Sequence, residues 1–434
     1  MAIEDFGDLT REMWDEAAET EPMESRRQRS LAALKTEWLR VWDEPIPFYR
    51  DKFEAAGLTR DAMPALDEIP VTRKGELRAN EAEHPVFGTH RSTRLYKDGQ
   101  INALRIAQST GTTGKAWYIF YSKDDLLRWR ALNKEQLWRN GVRPGNHFTH
   151  AWPGGMYPTG ILGGAQYSDL DVIELPVGPP FSAADALRHI QIWQDCGIDA
   201  LMCTISQLQI YDAAAQGAGI DLASILKGKP LITSGEAIWQ FEAGRKRIED
   251  AYGVSLFNIG GASEAPGFVT ADSRYHDGLI CPTDHYWIQV CDPETGKEVP
   301  PGTPGHLVIN AFGMDHFMLR YDLEDLVVLH EGPDKSGRTA QRYTILGRLA
   351  DRAIVGGKAL LPIDVQLALE TFGAPEYTMA AGVADALMLN IEGEGSAARL
   401  TDGLSAALGV PVVITEVPVG SIPRSTFKQR RLAE

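Results

Sequence analysis

The chain has 434 residues, 44% of them hydrophobic and 24% charged, a length that predicts two or three domains and a composition ordinary for globular protein. A net charge of −16 argues against nucleic acid or an anionic membrane as the main partner. The four cysteines, Cys196, Cys203, Cys281 and Cys291, form no CxxC pair, and the acidic opening MAIEDFGDLTREMWDE lacks the apolar core of a secretion signal. With no run of eighteen apolar residues to span a bilayer, the cytoplasm is the expected location.

In chain order, residues 24–42 read as an amphipathic helix, with Leu31, Leu34, Trp38 and Val41 at spacings of three and four. Pro45 and Pro47 break it, PFYRDKFEAAGL starts a short helix, and 59–94 reads as loop with short helices. From Leu104 the rhythm changes: LRIAQ, a small-residue loop STGTTGK, the strand-like WYIFYS, then a helix carrying Leu126, Trp129, Leu132 and Leu137 that ends at Gly141. To about residue 270, strand candidates (DVIELP, ALMCTI, PLITSG, SLFNIGG) alternate with helix candidates, which predicts an α/β domain with a largely parallel sheet. Residues 278–328 read as strands and turns, with a hairpin at Glu294–Lys297, hence a β-rich subdomain. LGRLADRAIVGG marks a junction, and the last eighty or so residues form a small α+β domain. The division expected is 1–346 and 347–434.

The strongest local signal is Ser109, Thr110, Gly111, Thr112, Thr113, Gly114 and Lys115. Glycines let the backbone approach an anion, four hydroxyls can donate to phosphate oxygens, and Lys115 adds charge. It is not a Walker A loop, because Ser109 stands where the first glycine belongs and Ala116 follows the lysine.

This loop resembles the signature of adenylate-forming enzymes, and the chain resembles the phenylacetate–CoA ligase branch nearly end to end. IPVTRKGELRAN, ITSGEAIW, LFNIGGASEAPG, LRYDLEDLV, ILGRLADRAIVGGKALLP and GSIPRSTFKQRR match that branch's motifs in order. The resemblance implies a large N-terminal α/β domain with a β-rich subdomain and a small mobile α+β lid hinged near Ala350. It implies an AMP-forming acid–CoA ligase using ATP, Mg²⁺ and CoA on an aryl or small organic acid, and a possible homodimer. Glu264 would bind Mg²⁺ through a hard carboxylate oxygen, and Lys428 would stabilise the transition-state charge of adenylation. Asp325 would accept from the ribose hydroxyls with Arg348 beside it, and Ser234, Gly235 and Glu236 would line the adenine side. Asn258, Ile259, Gly260, Gly261, Ala262 and Ser263 complete the nucleotide site. Trp152, Met156, Tyr157, Pro158 and Gly160, with Gly261 and Ala262, would line the acyl pocket.

Gly260 replaces the family's usual tyrosine, Ala350 an acidic hinge residue and Gly356 an arginine; Asp322, Leu323 and Phe427 also depart. These changes bear on the CoA step more than on adenylation. A second reading therefore keeps adenylation but uses an amine, a carrier-protein thiol or an unusual oxyacid, and a third makes the chain a nucleotide-binding regulator. His276, Cys281, His285 and Cys291 raise a zinc reading, but their spacing matches no standard finger.

Overall fold

A computed structural model describes residues 6–44, 46–84, 87–97, 100–109, 117–156, 158, 167–265, 267–382, 385–425 and 429–433. It divides into two compact units, Met1–Gly178 with Ile259–Thr344, and Pro179–Asn258 with Ile345–Glu434.

In the first unit, the helix Met23–Asp43 is the long amphipathic one expected. Its buried face differs at one end: Leu34, Trp38 and Val41 are buried, but Leu31 is 45% exposed and Ser30 takes the inward position. Trp38 stacks on Phe53 of the helix Pro47–Ala55, with ring centroids 5.3 Å apart, in a core that also holds Tyr49, Phe317 and Leu319. The same face carries Glu37, buried with its partner Arg40 at 2.6 Å. Burial pushes the Glu37 carboxyl up and the Arg40 charge pulls it back, so the pair is tolerable only together.

Strand Arg105–Ser109 pairs antiparallel with Trp117–Tyr121, closing at Ser109↔Trp117, so the hydroxyl-rich loop joins two neighbouring strands. The helix Lys123–Arg139 follows, capped by Ser122, whose hydroxyl accepts from the Asp125 N–H at 3.0 Å. Its Trp129 packs with Ala107, Ile119 and Tyr121. His147–His150 and Ile173–Pro176 pair in parallel.

The β-rich part runs Tyr286–Cys291, Pro304–Ala311, Tyr321–Leu329, Arg342–Arg348, Leu279–Ile280, Val269–Ala271 across neighbouring strands. The expected hairpin turn does form: the Asp292 N–H donates to Lys297 O and Gly296 N–H to Asp292 O, both at 2.8 Å. The ladder partner of Tyr286–Cys291 nevertheless starts only at Pro304. The arm after the turn makes only a short contact, with Glu298 bridged to Cys291 and the Val299 N–H donating to Val290 O at 2.8 Å, and Pro300 and Pro301, which have no N–H, end it; Pro304–Ala311 then pairs with the strand separately, His306 opposite Cys291.

In the second unit, Ala200–Met202, Pro230–Thr233 and Ser255–Asn258 lie parallel, in the registers Leu201↔Leu231 and Leu256↔Leu231, with helix Ala183–Cys196 before them in sequence and helices Ile205–Gly217 and Glu242–Tyr252 between them. This is the α/β alternation read from the sequence. The C-terminal stretch forms Tyr377–Ala381 antiparallel to Leu387–Glu392, which in turn runs parallel to Val412–Val417 after the helix Ser396–Leu408. Leu369, Leu389, Ile391, Leu400 and Leu404 centre its core. Before it, Ala353–Val355 and Lys358–Leu360 make a hairpin with Gly356 and Gly357 as its two loop residues. Their φ values of 55° and 79° are those of a tight two-residue loop with left-handed central residues. An arginine at 356 would be strained there, which accounts for that departure in backbone terms.

Among the described residues no helix is long and apolar enough to cross a membrane. Leu404→Ala, at a fully buried position, is expected to cost about 2–5 kcal/mol, read as a lowered midpoint in denaturant unfolding of the whole chain.

Candidate active site

The strand Ser255–Gly261 delivers the glycine-rich turn at its C-terminal end. Gly261 pairs with Val269 in the adjacent strand, and a Cβ there would sit 2.7 Å from the Phe268 carbonyl oxygen, so the close approach demands glycine. The turn is held by Ala262 N–H to Phe268 O at 3.3 Å and Ala265 N–H to Ala262 O at 3.1 Å. Tyr121 donates its hydroxyl to Ser263 O at 3.2 Å. The Gly260 carbonyl accepts from the Thr270 hydroxyl at 3.4 Å, which also meets the Tyr343 hydroxyl at 3.0 Å.

Glu264 follows, 8% exposed. Its Oε1 accepts from Lys74 Nζ at 3.2 Å and from the Tyr321 hydroxyl at 3.4 Å. Lys74 arrives because Thr72 and Arg73 run parallel to Tyr321 and Asp322, with Thr72 opposite Tyr321. The Lys74 ammonium also lies 5.3 Å from the Trp117 ring centroid. Burial, reinforced by the Glu264 charge, drives the Tyr321 hydroxyl well above its ordinary pKa, so it stays a donor. Oε2 of Glu264 has no hydrogen-bond partner among the described residues. One carboxylate oxygen therefore remains for a hard cation, which fits the magnesium role. Lys74 and Tyr321 were not singled out by sequence reasoning. Lys74 lies 190 residues from Glu264, and no local pattern joins two positions so far apart.

Asp325 sits in a bulge in Tyr321–Leu329: His306 pairs with Leu326 and Val308 with Asp322, so Leu323, Glu324 and Asp325 face the single residue Leu307. Glu324 has φ 61°, and its N–H donates to Asp322 Oδ1 at 2.7 Å. Such a bulge re-aims the side chains it carries. Asp322, one of the departures, is buried against His306 Nδ1 at 3.0 Å. Asp325 is partly exposed, and its charge adds to burial and Cys281 in raising the Tyr343 hydroxyl's pKa. Of the acyl-pocket candidates, Trp152 and Pro158 are buried and Met156 is half-exposed. The Met156 carbonyl accepts from Gln108 N–H at 2.7 Å, tying that stretch to the strand preceding the hydroxyl-rich loop. Thr110, Gly111, Thr112, Thr113, Gly114, Lys115, Tyr157, Gly160 and Lys428 lie outside the described residues, as does the Ser109 side chain.

The other candidates belong to the second unit. Ser234, Gly235 and Glu236 follow Pro230–Thr233, with Gly235 at φ 112°. Asn258 is buried, and Arg348 is exposed at the end of Arg342–Arg348. Gln240 ties the 237–240 turn to this strand: its Oε1 accepts from Ile345 N–H at 3.0 Å and its Nε2 donates to Ile345 O at 3.4 Å. The Glu236 carboxylate accepts from Arg431 Nη2 at 3.0 Å, Arg431 Nε at 3.2 Å and Gln366 Nε2 at 2.6 Å. Burial works against the Arg431 charge, but Glu236 and Glu376 outweigh it and hold the guanidinium ionised. The basic tail is therefore docked at this point, and Arg431 joins Lys74 and Tyr321 as a residue to which sequence reasoning gave no site role.

The zinc reading finds no geometry. Among the described residues no group of three or more His, Cys, Asp or Glu gathers as a metal site. His276 Nδ1 lies 2.8 Å from Asp272 Oδ2, and burial raises the Cys281 thiol and pushes Cys291 up to about 12, away from the thiolate a metal needs.

No family sequence model matches the chain. The phenylacetate-coenzyme A ligase of Thermus thermophilus is 30% identical over 366 residues, covering 82% of this chain and 78% of that protein. The Escherichia coli enzyme of the same name is 28% identical over 446 residues, covering 95% and 96%. The crystal structure of 2-hydroxyisobutyryl-CoA ligase in the postadenylation state with 2-HIB-AMP matches with a TM-score of 0.88 over 99% of this chain and 93% of that one; at 24% identity it shows the fold. Likeness of this extent to the curated relatives, through most of both chains, makes the protein a member of the phenylacetate–CoA ligase family of adenylate-forming enzymes.

Proposed function

We propose that the protein is an AMP-forming acid–CoA ligase acting on an aryl or small organic acid. The observation that carries the reading is Glu264: a buried carboxylate at the end of a glycine-rich strand, countercharged by Lys74, with one oxygen left for a cation. In the first half-reaction the substrate carboxylate attacks the α-phosphorus of ATP, forming the acyl-adenylate and expelling pyrophosphate. In the second the CoA thiol attacks the acyl carbon, forming the thioester and releasing AMP. Mg²⁺, when bound, neutralises phosphate charge, and Glu264 is the residue that would hold it. Lys428 meets the charge that develops on the phosphate oxygens, Asp325 takes the ribose hydroxyls with Arg348 nearby, and 109–115 cradles the phosphates. Residues 347–434 serve as the lid domain, a role supported by the separate core around Leu389 and Leu404. The two names given to the curated relatives and to the structural neighbour support CoA as the acceptor.

The test is release of pyrophosphate and AMP across a panel of aryl and short acyl acids, with and without CoA. Acid-dependent pyrophosphate release and CoA-dependent AMP turnover are expected; no acid-dependent release with any member would overturn the reading. Lys428→Ala is expected to slow adenylation by roughly 10²-fold or more with ATP binding largely kept, measured as pyrophosphate burst against nucleotide titration. Glu264→Gln keeps the side chain's size and removes its charge. It is expected to raise the Mg²⁺ concentration for half-maximal activity by about tenfold or more, and an unchanged magnesium titration would remove Glu264 from the metal's ligands.

A further inference from the structure

Arg431 joins two parts of the chain that the sequence keeps 195 residues apart. Its Nη2 and Nε both donate to Glu236 Oε2, its Nη1 donates to Glu376 Oε1 and to Tyr377 O, and its guanidinium lies 4.8 Å from the Tyr377 ring centroid. All three charged side chains are about nine-tenths removed from solvent. The backbone around it is fixed as well: Met379 N–H donates to Arg431 O at 2.7 Å and Ala433 N–H to Met379 O at 2.8 Å, so the tail adds to the strand Tyr377–Ala381.

A second stake holds the tail upstream. Arg424 binds Glu392 with Nη1–Oε1 at 3.0 Å and Nη2–Oε2 at 2.8 Å. The two stakes differ in reach. Arg424 grips a neighbour within 345–434, whereas Arg431 crosses to Glu236, in the turn after Pro230–Thr233. Two carboxylates converge on the one Arg431 guanidinium. Without it they would face each other in a poorly solvated cleft with Arg424 acting on Glu376 alone, a costly arrangement that separation would relieve.

We infer that Arg431 is a positioning residue for adenylation: its bridge to Glu236 sets the tail that carries Lys428 against the 234–236 turn. This rests on the ligase reading and on Lys428 as its adenylation lysine. The bridge serves the pose in which Lys428 acts, and contributes nothing to attack by the CoA thiol on an acyl-adenylate already made. In this role Arg431 acts through the placement of others, by its bonds to Glu236, Glu376 and Tyr377.

The experiment compares full-length wild type, Arg431→Ala, Arg431→Lys, Glu236→Gln, the Glu236→Gln/Arg431→Ala double variant and Arg424→Ala. Each half-reaction is measured alone: acid-dependent pyrophosphate release without CoA, and thioester formation from supplied acyl-adenylate and CoA. Arg431→Ala is expected to lower the adenylation kcat about tenfold or more while KM for ATP moves less than about threefold, with thioester formation unchanged or faster. Arg431→Lys keeps the charge without the fork and should recover part of the rate. Glu236→Gln should reproduce the loss, and the double variant should be no slower than the slower single, as for two members of one contact. Arg424→Ala is expected to weaken both half-reactions alike. If Arg431→Ala does not fold, Arg431→Lys and Glu236→Gln carry the same comparison. Equal loss in both half-reactions, or losses at 236 and 431 that multiply independently, would overturn the positioning role. An active wild type with an unaffected Arg431→Ala removes that role alone, whereas a wild type that releases no pyrophosphate with any acid removes the ligase reading beneath it.

Discussion

A carboxylate taken almost wholly out of water must find a positive partner, and the Glu264 carboxylate finds Lys74. Much of the first unit can be read as the apparatus of that pairing. Gly261 must be glycine so that the turn beyond it lies flat against Phe268. Tyr121 holds Ser263 from one side, Tyr321 donates to the carboxylate from another, and Thr72–Arg73 runs beside Tyr321 so that the next residue, Lys74, reaches the pair. Trp117, in the strand just past the hydroxyl-rich loop, gives the ammonium an aromatic face. Keeping charge at the site costs little compared with stripping it away, so a lysine on one carboxylate oxygen is a suitable partner for a residue proposed to offer its other oxygen to Mg²⁺.

Patterns set by a single element were legible before any coordinates. The alternation of strands and helices and the order of motifs to the tail follow from local spacing and composition. What escaped depended on partners distant in sequence or on backbone detail. Leu31 fits the helical spacing as well as Ser30 does, and only tertiary packing decides which turns inward. The turn at Glu294–Lys297 was visible, but its short returning arm at Glu298 and Val299 and the separate ladder strand from Pro304 were not. Lys74 and Arg431 were present inside quoted motifs, yet their roles appear only when Glu264 and Glu236 stand next to them.

The departures from the family pattern divide on physical grounds. Gly356 is half of a tight hairpin loop whose φ values exclude a branched or long side chain at low cost, so backbone geometry is reason enough for it. Asp322 has been absorbed into a buried contact with His306 beside the bulge that turns Asp325. Gly260 keeps only its backbone in play, offering its carbonyl to Thr270. The tail, strongly basic and easily taken for a solvated end, is instead anchored by Arg424 and Arg431.

The sulfur chemistry of the chain has a further bearing on an enzyme of this kind. An acyl-adenylate is a mixed anhydride that acylates any thiolate it meets. Cys203, Cys281 and Cys291 are buried, and burial holds each as the thiol. The remaining cysteine, Cys196, stands exposed at the end of the helix Ala183–Cys196. The three buried sulfurs are thus kept in a form that spares them acylation, which leaves Cys196 as the one cysteine open to it.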